Sequence, residues 1–585
     1  MSVTRRDFVK LAGAATVATS ALAVNPATAA ASRRRRRQPN IVFLMVDELR
    51  FPRHFPGGIT SSREFLGRYM PNVAALWDRG VKFSNHYTAA TSCGPARAAL
   101  VTGLYPHQQW NLITPPGDPT PGASLAPALL TGFPTYGKLM RRAGYRTPYV
   151  GKWHLCASPA APGDPGSADY LEDYGFRGYT IPDVTGLPGQ GMEEDPIMAG
   201  QAVHWLRRQK KGAKPFCLTV SLVNPHDKQF FWSGTEASLY RRLYEREGAT
   251  PLINFEPYPG EGKPRDYGYS ALPRNWESAK QLAANKPGCQ TFTREFSALV
   301  YGDAAERPTD KFSFRDFPGI SSFKIAVAPF EYWRKSQDCY TQVMEMVDKE
   351  IGRVVRAIPR ELRDDTIIIL TSDHGEYAGA HGMLSGKEGT VYEECMKVPL
   401  IVVDPRGEYT GDEDVVRRGL TSSVDLLPLM VTIGHGGSRE WMKGDYRAAY
   451  GDHLDLLPVL KRRSGRTRKY VWMSSDEMHA QSLNVGNAPR HVLGVRTEEL
   501  KVAAYTHWTE DGRRLKGGRE LESYDYDTPG GRWELDNFQC ESGAARDLLR
   551  IMNKERRMAA PLPARWRSTS DRARQIYLDF IKTIK

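Results

Sequence analysis

Cysteine is scarce: seven occur in 585 residues, too few for a disulfide scaffold. No internal stretch reaches the roughly 18 to 20 uninterrupted apolar residues that a membrane-spanning helix needs. No repeat period is visible, and nothing in the composition fits disorder, collagen or a coiled coil. What is present is ordinary for a globular protein, with 41% hydrophobic and 25% charged residues and 80 Lys+Arg against 67 Asp+Glu. A chain of this length is expected to form two domains, or one large domain with long insertions. The odd cysteine count hints that at least one thiol does something other than pair.

The first residues read as an address. Thr4-Arg5-Arg6-Asp7-Phe8-Val9-Lys10 precedes the weakly apolar Leu11 to Val24, and Ala27-Thr28-Ala29 supplies the small-residue pattern of a cleavage site. Residues 1–29 thus resemble a twin-arginine export signal, which implies transport of an already folded protein by the twin-arginine translocase to the periplasm, cell surface or medium. Arg33 to Arg37 follows as an unbroken basic run. It has no aromatic residues interleaved for base stacking, so residues 30–38 read as a solvated, disordered linker and no nucleic-acid partner is expected. The remaining positive excess suits an anionic substrate better than DNA.

Beyond the linker, strand and helix alternate. Asn40 to Val46 is a short continuous apolar run, the pattern of a strand buried on both faces of a parallel sheet, and it stops at Asp47-Glu48. Phe216 to Val223 repeats the pattern and stops at Asn224-Pro225-His226; Thr366 to Thr371 stops at Ser372-Asp373-His374; Val398 to Val403 stops at Asp404. All four place an acid or a histidine just past the carboxyl end, where open α/β sheets bind ligands. Tyr340 to Ile358 carries apolar residues at three- and four-residue intervals, as a helix packed on the sheet would. Residues 228–323, rich in Pro, Gly and aromatics without sustained periodicity, read as an ordered lid inserted into the frame. After about His435 the pattern becomes shorter and more β-like. The fold expected is α/β: a large domain over 39–435 with a mostly parallel mixed sheet flanked by helices, then a smaller β-rich α+β subdomain over 436–585.

Cys93-Gly94-Pro95-Ala96-Arg97 opens a run of Ala and Leu that ends at Gly103. Pro95 suits the first turn of a helix, with Gly94 or Cys93 as cap, so Cys93 stands at a helix N-terminus. Exposed N–H groups and the dipole favour an anion there, and Arg97 one turn on can reach the same place.

These residues, followed by Thr102-Gly103-Leu104-Tyr105-Pro106-His107, resemble the signature of formylglycine-dependent sulfatases of the alkaline-phosphatase superfamily. The likeness continues in order through Asp47, Gly151-Lys152-Trp153-His154-Leu155, Asn224-Pro225-His226, Thr371 to Glu376, His381-Gly382, Lys387, Tyr392-Glu393-Glu394, Val424 to Pro428 and Tyr524 to Tyr526 with Glu534 and Asn537. It covers roughly residues 39 to 540 and leaves only the lid unmatched. Ala96 stands where the family commonly has Ser, and Lys387 precedes Tyr392 by one more residue than in many members.

The resemblance implies that Cys93 is converted to formylglycine by a cytoplasmic formylglycine-generating enzyme. It also implies that Asp47, Glu48, Asp373 and His374, with residue 93, hold a divalent metal, usually calcium and sometimes magnesium or manganese. An oxygen-rich set with one nitrogen suits such a hard cation. Lys152 and Lys387 would clamp the sulfate, Arg97 would hold the hydrated aldehyde, His226 would protonate the departing alcohol, and His154 would take the proton that regenerates the aldehyde. The expected activity is hydrolysis of a small sulfate ester of a sugar, aryl or alkyl alcohol. A phosphonate or phosphate monoester hydrolase on the same frame is the alternative, and a non-catalytic exported binder is disfavoured by the intact Cys93, Arg97, Lys152, His154 and His226. Trp232, Phe255, Tyr258, Tyr267 and Tyr269 either stack on a substrate ring or form a core within the insertion.

Overall fold

The apolar run after the linker becomes an inner strand of the main sheet, and the rest is arranged around it. The computed structural model describes residues 38–114, 127–156, 171–178, 183–230, 237–248, 265–318, 320–476, 489, 491–507, 520–538, 543–554 and 560–583. The expected export signal, the arginine run, Trp232, Phe255 and Tyr258 lie outside them. The strands are β1 (Asn40–Val46), β2 (Val81–Tyr87), β3 (Pro148–Gly151), β4 (Arg177–Gly178), β5 (Cys217–Leu222), β6 (Asp303–Ala304), β7 (Ser313–Phe317), β8 (Ile320–Ala328), β9 (Thr366–Ser372), β10 (Lys397–Val403), β11 (Thr421–Ser422), β12 (Val471–Ser475), β13 (His491–Arg496), β14 (Leu500–Thr506) and β15 (Glu520–Asp525).

Eight of these form one sheet in the order β11-β2-β10-β9-β1-β5-β3-β4. β1 pairs in parallel with both β5 and β9, Ile41 lying opposite Cys217 and Ile367. Its odd-numbered residues Ile41, Phe43 and Met45 enter one core, while Val42, Leu44 and Val46 enter another on the opposite face. Burial on both faces is why the sequence shows an unbroken apolar run instead of alternation. On the second face lies the helix Tyr332–Arg356, whose Tyr340, Val343, Val347, Ile351 and Val354 pack beneath the sheet. It begins eight residues before the periodic stretch: its first turn buries Tyr332 and Trp333 in a separate cluster, and the buried polar residues Ser336, Gln337 and Asp338 that follow interrupt the apolar period.

One strand corrects the expectation that four strand ends aim at a common site. β10 runs antiparallel to both β9 and β2, with Val403 opposite Ile368. Its carboxyl end is therefore at the far edge from Asp47, and Asp404 there accepts the N–H groups of Arg406 (3.2 Å) and Tyr409 (2.6 Å) in a turn. The other three strand ends, of β1, β5 and β9, converge.

The helix Cys93–Thr102 is buried at all of its residues. Ala98, Leu100 and Val101 join the core of the large sheet, while Ala99 joins a cluster with Trp472, Leu493, Val495 and Val502 of the second sheet. Its N-cap is Ser92 (φ 69°), one residue earlier than expected and without a side-chain cap. The second sheet is antiparallel, in the order β12-β13-β14-β15. Other residues after 435 return to the large core: Tyr450, Leu456, Val459 and Leu460, then Trp566, Tyr577 and Ile581 of the helix Ala564–Thr583.

The insertion has more regular structure than its sequence suggested. It contains the helices Ala237–Arg246, Ala279–Asn285 and Cys289–Tyr301, and with β6, β7 and β8 a small sheet of its own. Ser278 and Gln281 form a reciprocal capping box, a pattern readable in the sequence but hidden among Pro and Gly. Tyr267 and Tyr269 face inward and pack in the core beneath the large sheet. Tyr267 donates to Glu345 (2.6 Å) and Tyr269 shares a hydrogen bond with Thr341 (2.8 Å), so these two rings neither line the site nor form a core within the insertion; they pin the insertion to the main core. Among the described residues six cysteines are present, all as free thiols.

Candidate active site

The ends of β1 and β9 are tied together before any catalytic group is placed. Ser372 Oγ accepts from Leu49 N (2.9 Å), and Asp373 Oδ1 accepts from Glu48 N (3.0 Å) and His374 N (2.8 Å). Glu48 adopts a left-handed conformation (φ 66°), uncommon for a non-glycine residue. That turn leaves Asp47 and Asp373 side by side.

Arg97, fully buried one turn into its helix, fills the space between them. Its Nε lies 2.8 Å from Asp373 Oδ2 and its Nη2 3.2 Å from Asp47 Oδ2, while Nη1 donates to Lys152 O (2.7 Å) and Ser221 Oγ (2.9 Å). The guanidinium thus reaches the ends of β1, β9, β3 and β5. Lys152 pairs with Asp47. Burial and the adjacent Cys93 favour protonation of Asp47, but Lys152 and Arg97 outweigh them and hold its carboxyl down to about 2.

Cys93 Sγ sits amid these groups, 3.3 Å from His374 Nε2, 3.6 Å from Asp47 Oδ1 and 3.7 Å from Lys152 Nζ. His154 and His226 also come within hydrogen-bonding reach of it. Burial opposes ionisation of the thiol, yet Lys152, Lys387 and His374 together hold it well below the ordinary thiol range. Lys387 Nζ is 3.1 Å from Glu48 Oε2. Burial, then the charges of Lys152 and Lys387, push His226 down to about 4.

One oxygen from each of Asp47 and Asp373, Cys93 Sγ and a nitrogen of His374 all lie within 4.8 Å of one another. His374 Nδ1 is 3.0 Å from Gly375 O; a carbonyl can only accept, so Nδ1 carries a proton, and although burial opposes it, Asp373 and Cys93 push the imidazole up to about 9, so Nε2 offers a lone pair to a cation only once it gives up the second proton. Two carboxylates, one imidazole and the residue 93 side chain make a donor set that fits a hard divalent cation. Glu48 belongs to a neighbouring group with Asp47 and His226. Its Oε2 takes Lys387 and Gln229 as partners.

Three acids shape the site from behind it; Asp183 and Asp195 carried no signal in the sequence, whereas Glu376 closes the motif that begins at Thr371. Asp183 accepts the N–H groups of Trp153 and His154, each at 2.8 Å, and fixes His154 in a left-handed conformation (φ 54°). Asp195, inside the helix Gln190–Arg207, accepts from Val223 N (2.6 Å) and Asn224 N (2.9 Å) and so anchors the loop that carries His226. Glu376 binds Lys228 Nζ (2.9 Å), Ser385 Oγ (3.0 Å) and Gly386 N (3.0 Å), bracing the loop that carries Lys387. His381, Glu393, Glu394 and Glu534, which resemble family motifs, form a separate buried network. There His381 stacks on Tyr392 at 3.8 Å and bonds Glu277 at 2.8 Å, and Arg496 lies 3.2 Å from Glu393.

Positive charge converging on one side chain beside cation ligands is an arrangement suited to esters of tetrahedral oxyanions, the groups that spread negative charge over several oxygens. A family model described as Sulfatase matches residues 39–435. The chain belongs to the sulfatase family and is a sulfuric ester hydrolase. It is 25% identical to an N-acetylglucosamine-6-O-sulfatase of Bacteroides thetaiotaomicron over 492 residues, 80% of this chain and 78% of the relative. It is 24% identical to a choline-sulfatase of Rhizobium meliloti, over 72% of each. Its fold, alkaline-phosphatase-like, is shared with a 2-O GAG sulfatase (TM-score 0.55, 19% identity, 94% of each chain) and with a phosphonate monoester hydrolase from Silicibacter pomeroyi (TM-score 0.57, 19% identity, 89% of this chain and 95% of that one).

Because Asp183 holds the backbone N–H groups of Trp153 and His154, Asp183→Ala is expected to lower kcat/KM by roughly 10²-fold, the cost of a small misplacement of groups lining the site. Far-ultraviolet circular dichroism should remain that of the wild type. Activity within twofold of wild type would show that the loop holds its shape without the carboxylate.

Proposed function

We propose that the chain hydrolyses a small sulfate ester through formylglycine at position 93, with one divalent cation, calcium foremost and magnesium or manganese as alternatives. The observation that carries this reading is the placement of Cys93 Sγ within 3.3–3.7 Å of His374, Asp47 and Lys152. The sulfur stands where the oxygen of the modified side chain would be. A formylglycine-generating enzyme acting before export would make the change, and the hydrated aldehyde would supply the hydroxyl that attacks sulfur. A cation held by Asp47, Asp373, His374 and residue 93 would supply Lewis acidity and charge neutralisation.

The chain's own residues do the rest. Lys152 and Lys387 bind sulfate oxygens from two sides, and Arg97 holds Asp47 and Asp373 in register while it faces residue 93. His226 gives its proton to the departing alcohol oxygen, and His154, on the Asp183-fixed loop, accepts the proton released as residue 93 is restored. With its value near 4, His226 is neutral at pH 7. An anionic sulfate between the two lysines offsets the charges that depress it and so favours the protonated, acidic form.

The named relatives act on sulfated sugar and choline sulfate, and both fall in the proposed class of sugar, alkyl or aryl sulfates. Residues 39–435 are proposed as the catalytic domain, with 228–323 as its lid and 436–585 as a C-terminal subdomain. The similarity of fold to phosphonate monoester hydrolases keeps that activity as a second reading, and a higher kcat/KM on an aryl phosphonate than on the matching aryl sulfate would favour it.

Replacing His226 with Ala is expected to slow a sugar or alkyl sulfate by roughly 10²- to 10⁴-fold and an activated nitrophenyl sulfate much less, since only the poor leaving group needs the proton. Equal losses in kcat/KM on both would remove His226 from the acid role. Residues 1–29 are proposed as a twin-arginine signal. Arg5→Lys with Arg6→Lys should therefore leave precursor in the cytoplasm on fractionation, and export at the normal level would contradict it.

A further inference from the structure

The run Thr102 to His107 ends on a histidine that has no part in the active site. His107 lies on the short helix Pro106–Gln109, which follows the helix that carries residue 93. Its Nε2 is 2.8 Å from Asp476 Oδ2, and the other carboxylate oxygen, Oδ1, is 2.5 Å from His491 Nδ1. Asp476 stands just past β12 and His491 opens β13, so three separate segments each bring one polar side chain to the same place. The two rings meet edge to face with centroids 4.8 Å apart. All three residues are buried, and one atom from each lies within 4.8 Å of the other two.

Asp476 differs from the other buried acids in how its charge is met. Asp47, Asp373, Glu393 and Asp425 each pair with an arginine. Asp183 and Asp195 each accept two backbone N–H groups. Among the described residues Asp476 has neither kind of partner, only the two imidazoles. As neutral rings these satisfy its hydrogen bonding without balancing its charge, whereas a cation held among the three does both. Two imidazole nitrogens and a carboxylate oxygen suit a borderline ion such as zinc better than the hard cations that fit the oxygen-rich group beside residue 93. A tetrahedral zinc with bonds of about 2.0–2.1 Å sets its ligand atoms roughly 3.3 Å apart, so the nitrogen–oxygen gaps of 2.8 and 2.5 Å need open by less than about 1 Å.

We propose that His107 Nε2, a carboxylate oxygen of Asp476 and His491 Nδ1 form a second metal site, taking zinc or a similar borderline divalent ion. The ion replaces the imidazole protons that the carboxylate otherwise accepts and releases them to solvent. It ties the second sheet to the segment that presents residue 93. Ser475, next to Asp476, already touches both sides of the active site, since its Oγ is 2.6 Å from Thr91 Oγ1 and accepts from Gly389 N at 2.9 Å. The inference does not draw on the chemistry at residue 93.

Zinc is measured by mass spectrometry in wild type, His107→Gln and Asp476→Asn after equilibration with zinc and excess calcium and removal of free ions by gel filtration. Wild type should retain one zinc per chain more than either variant, with zinc affinity lower by roughly 10²-fold or more in both. Far-ultraviolet circular dichroism checks that the variants are folded. If they are not, X-ray absorption at the zinc edge of wild type carrying less than one equivalent of zinc decides. It should show two imidazoles, where the group beside residue 93 would supply one. Equal zinc in the three folded proteins, no zinc retained by wild type, or a single imidazole on the ion would each overturn the inference and leave the sulfatase reading standing.

Discussion

The buried guanidinium of Arg97 between Asp47 and Asp373 is the interaction on which the rest depends. The carboxylates come from strands separated in sequence by more than three hundred residues, and burial favours protonation of both; Arg97 opposes it at each, after Lys152 at Asp47 and after His374 at Asp373. Removing one partner from a buried ion pair typically costs about 3–5 kcal/mol. In doing so here it would also release the ends of β1, β9, β3 and β5 that Arg97 touches through Asp47, Asp373, Lys152 O and Ser221 Oγ. The same side chain fixes the helix Cys93–Thr102 in depth and rotation, and so places residue 93. Structural anchoring and charge neutralisation are performed by one group.

Around that centre the site is built from loops whose shape is set by acids one layer out. Asp183 holds the Lys152–His154 turn, Asp195 the Val223–His226 turn, and Glu376 the loop leading to Lys387. The insertion takes part from the other side: Ser297 Oγ donates to Ser385 O at 2.7 Å, so the helix Cys289–Tyr301 leans on the loop that presents Lys387. Carboxylates that accept backbone N–H groups are a rigid way to hold strained turns. They spare the lysines and histidines to face the reacting group.

Much of this was legible in the sequence because the signals were of the kinds that one dimension preserves. Burial on both faces writes an unbroken apolar run, so β1, β5, β9 and β10 were visible, and a chemically active residue just beyond a strand stands out. The direction of β10 was not visible, since an apolar run reads the same in a parallel or an antiparallel strand, and Asp404 was accordingly misplaced. The early turns of the helix Tyr332–Arg356 were lost because the buried polar residues Ser336, Gln337 and Asp338 separate Tyr332 and Trp333 from the periodic apolar face. Asp183 and Asp195 were missed for a different reason: their partners are backbone N–H groups, which leave no pattern of residue types.

The central claim, that position 93 works as formylglycine and not as a thiol, is tested most directly by mass analysis of the peptide containing Cys93. The analysis would be made across preparations from hosts with and without a formylglycine-generating enzyme, each paired with kcat on an aryl sulfate. The account expects kcat to rise in proportion to the fraction of the peptide found as formylglycine and to approach zero where only thiol is found. Full activity in a preparation whose position 93 is wholly unmodified cysteine would contradict it.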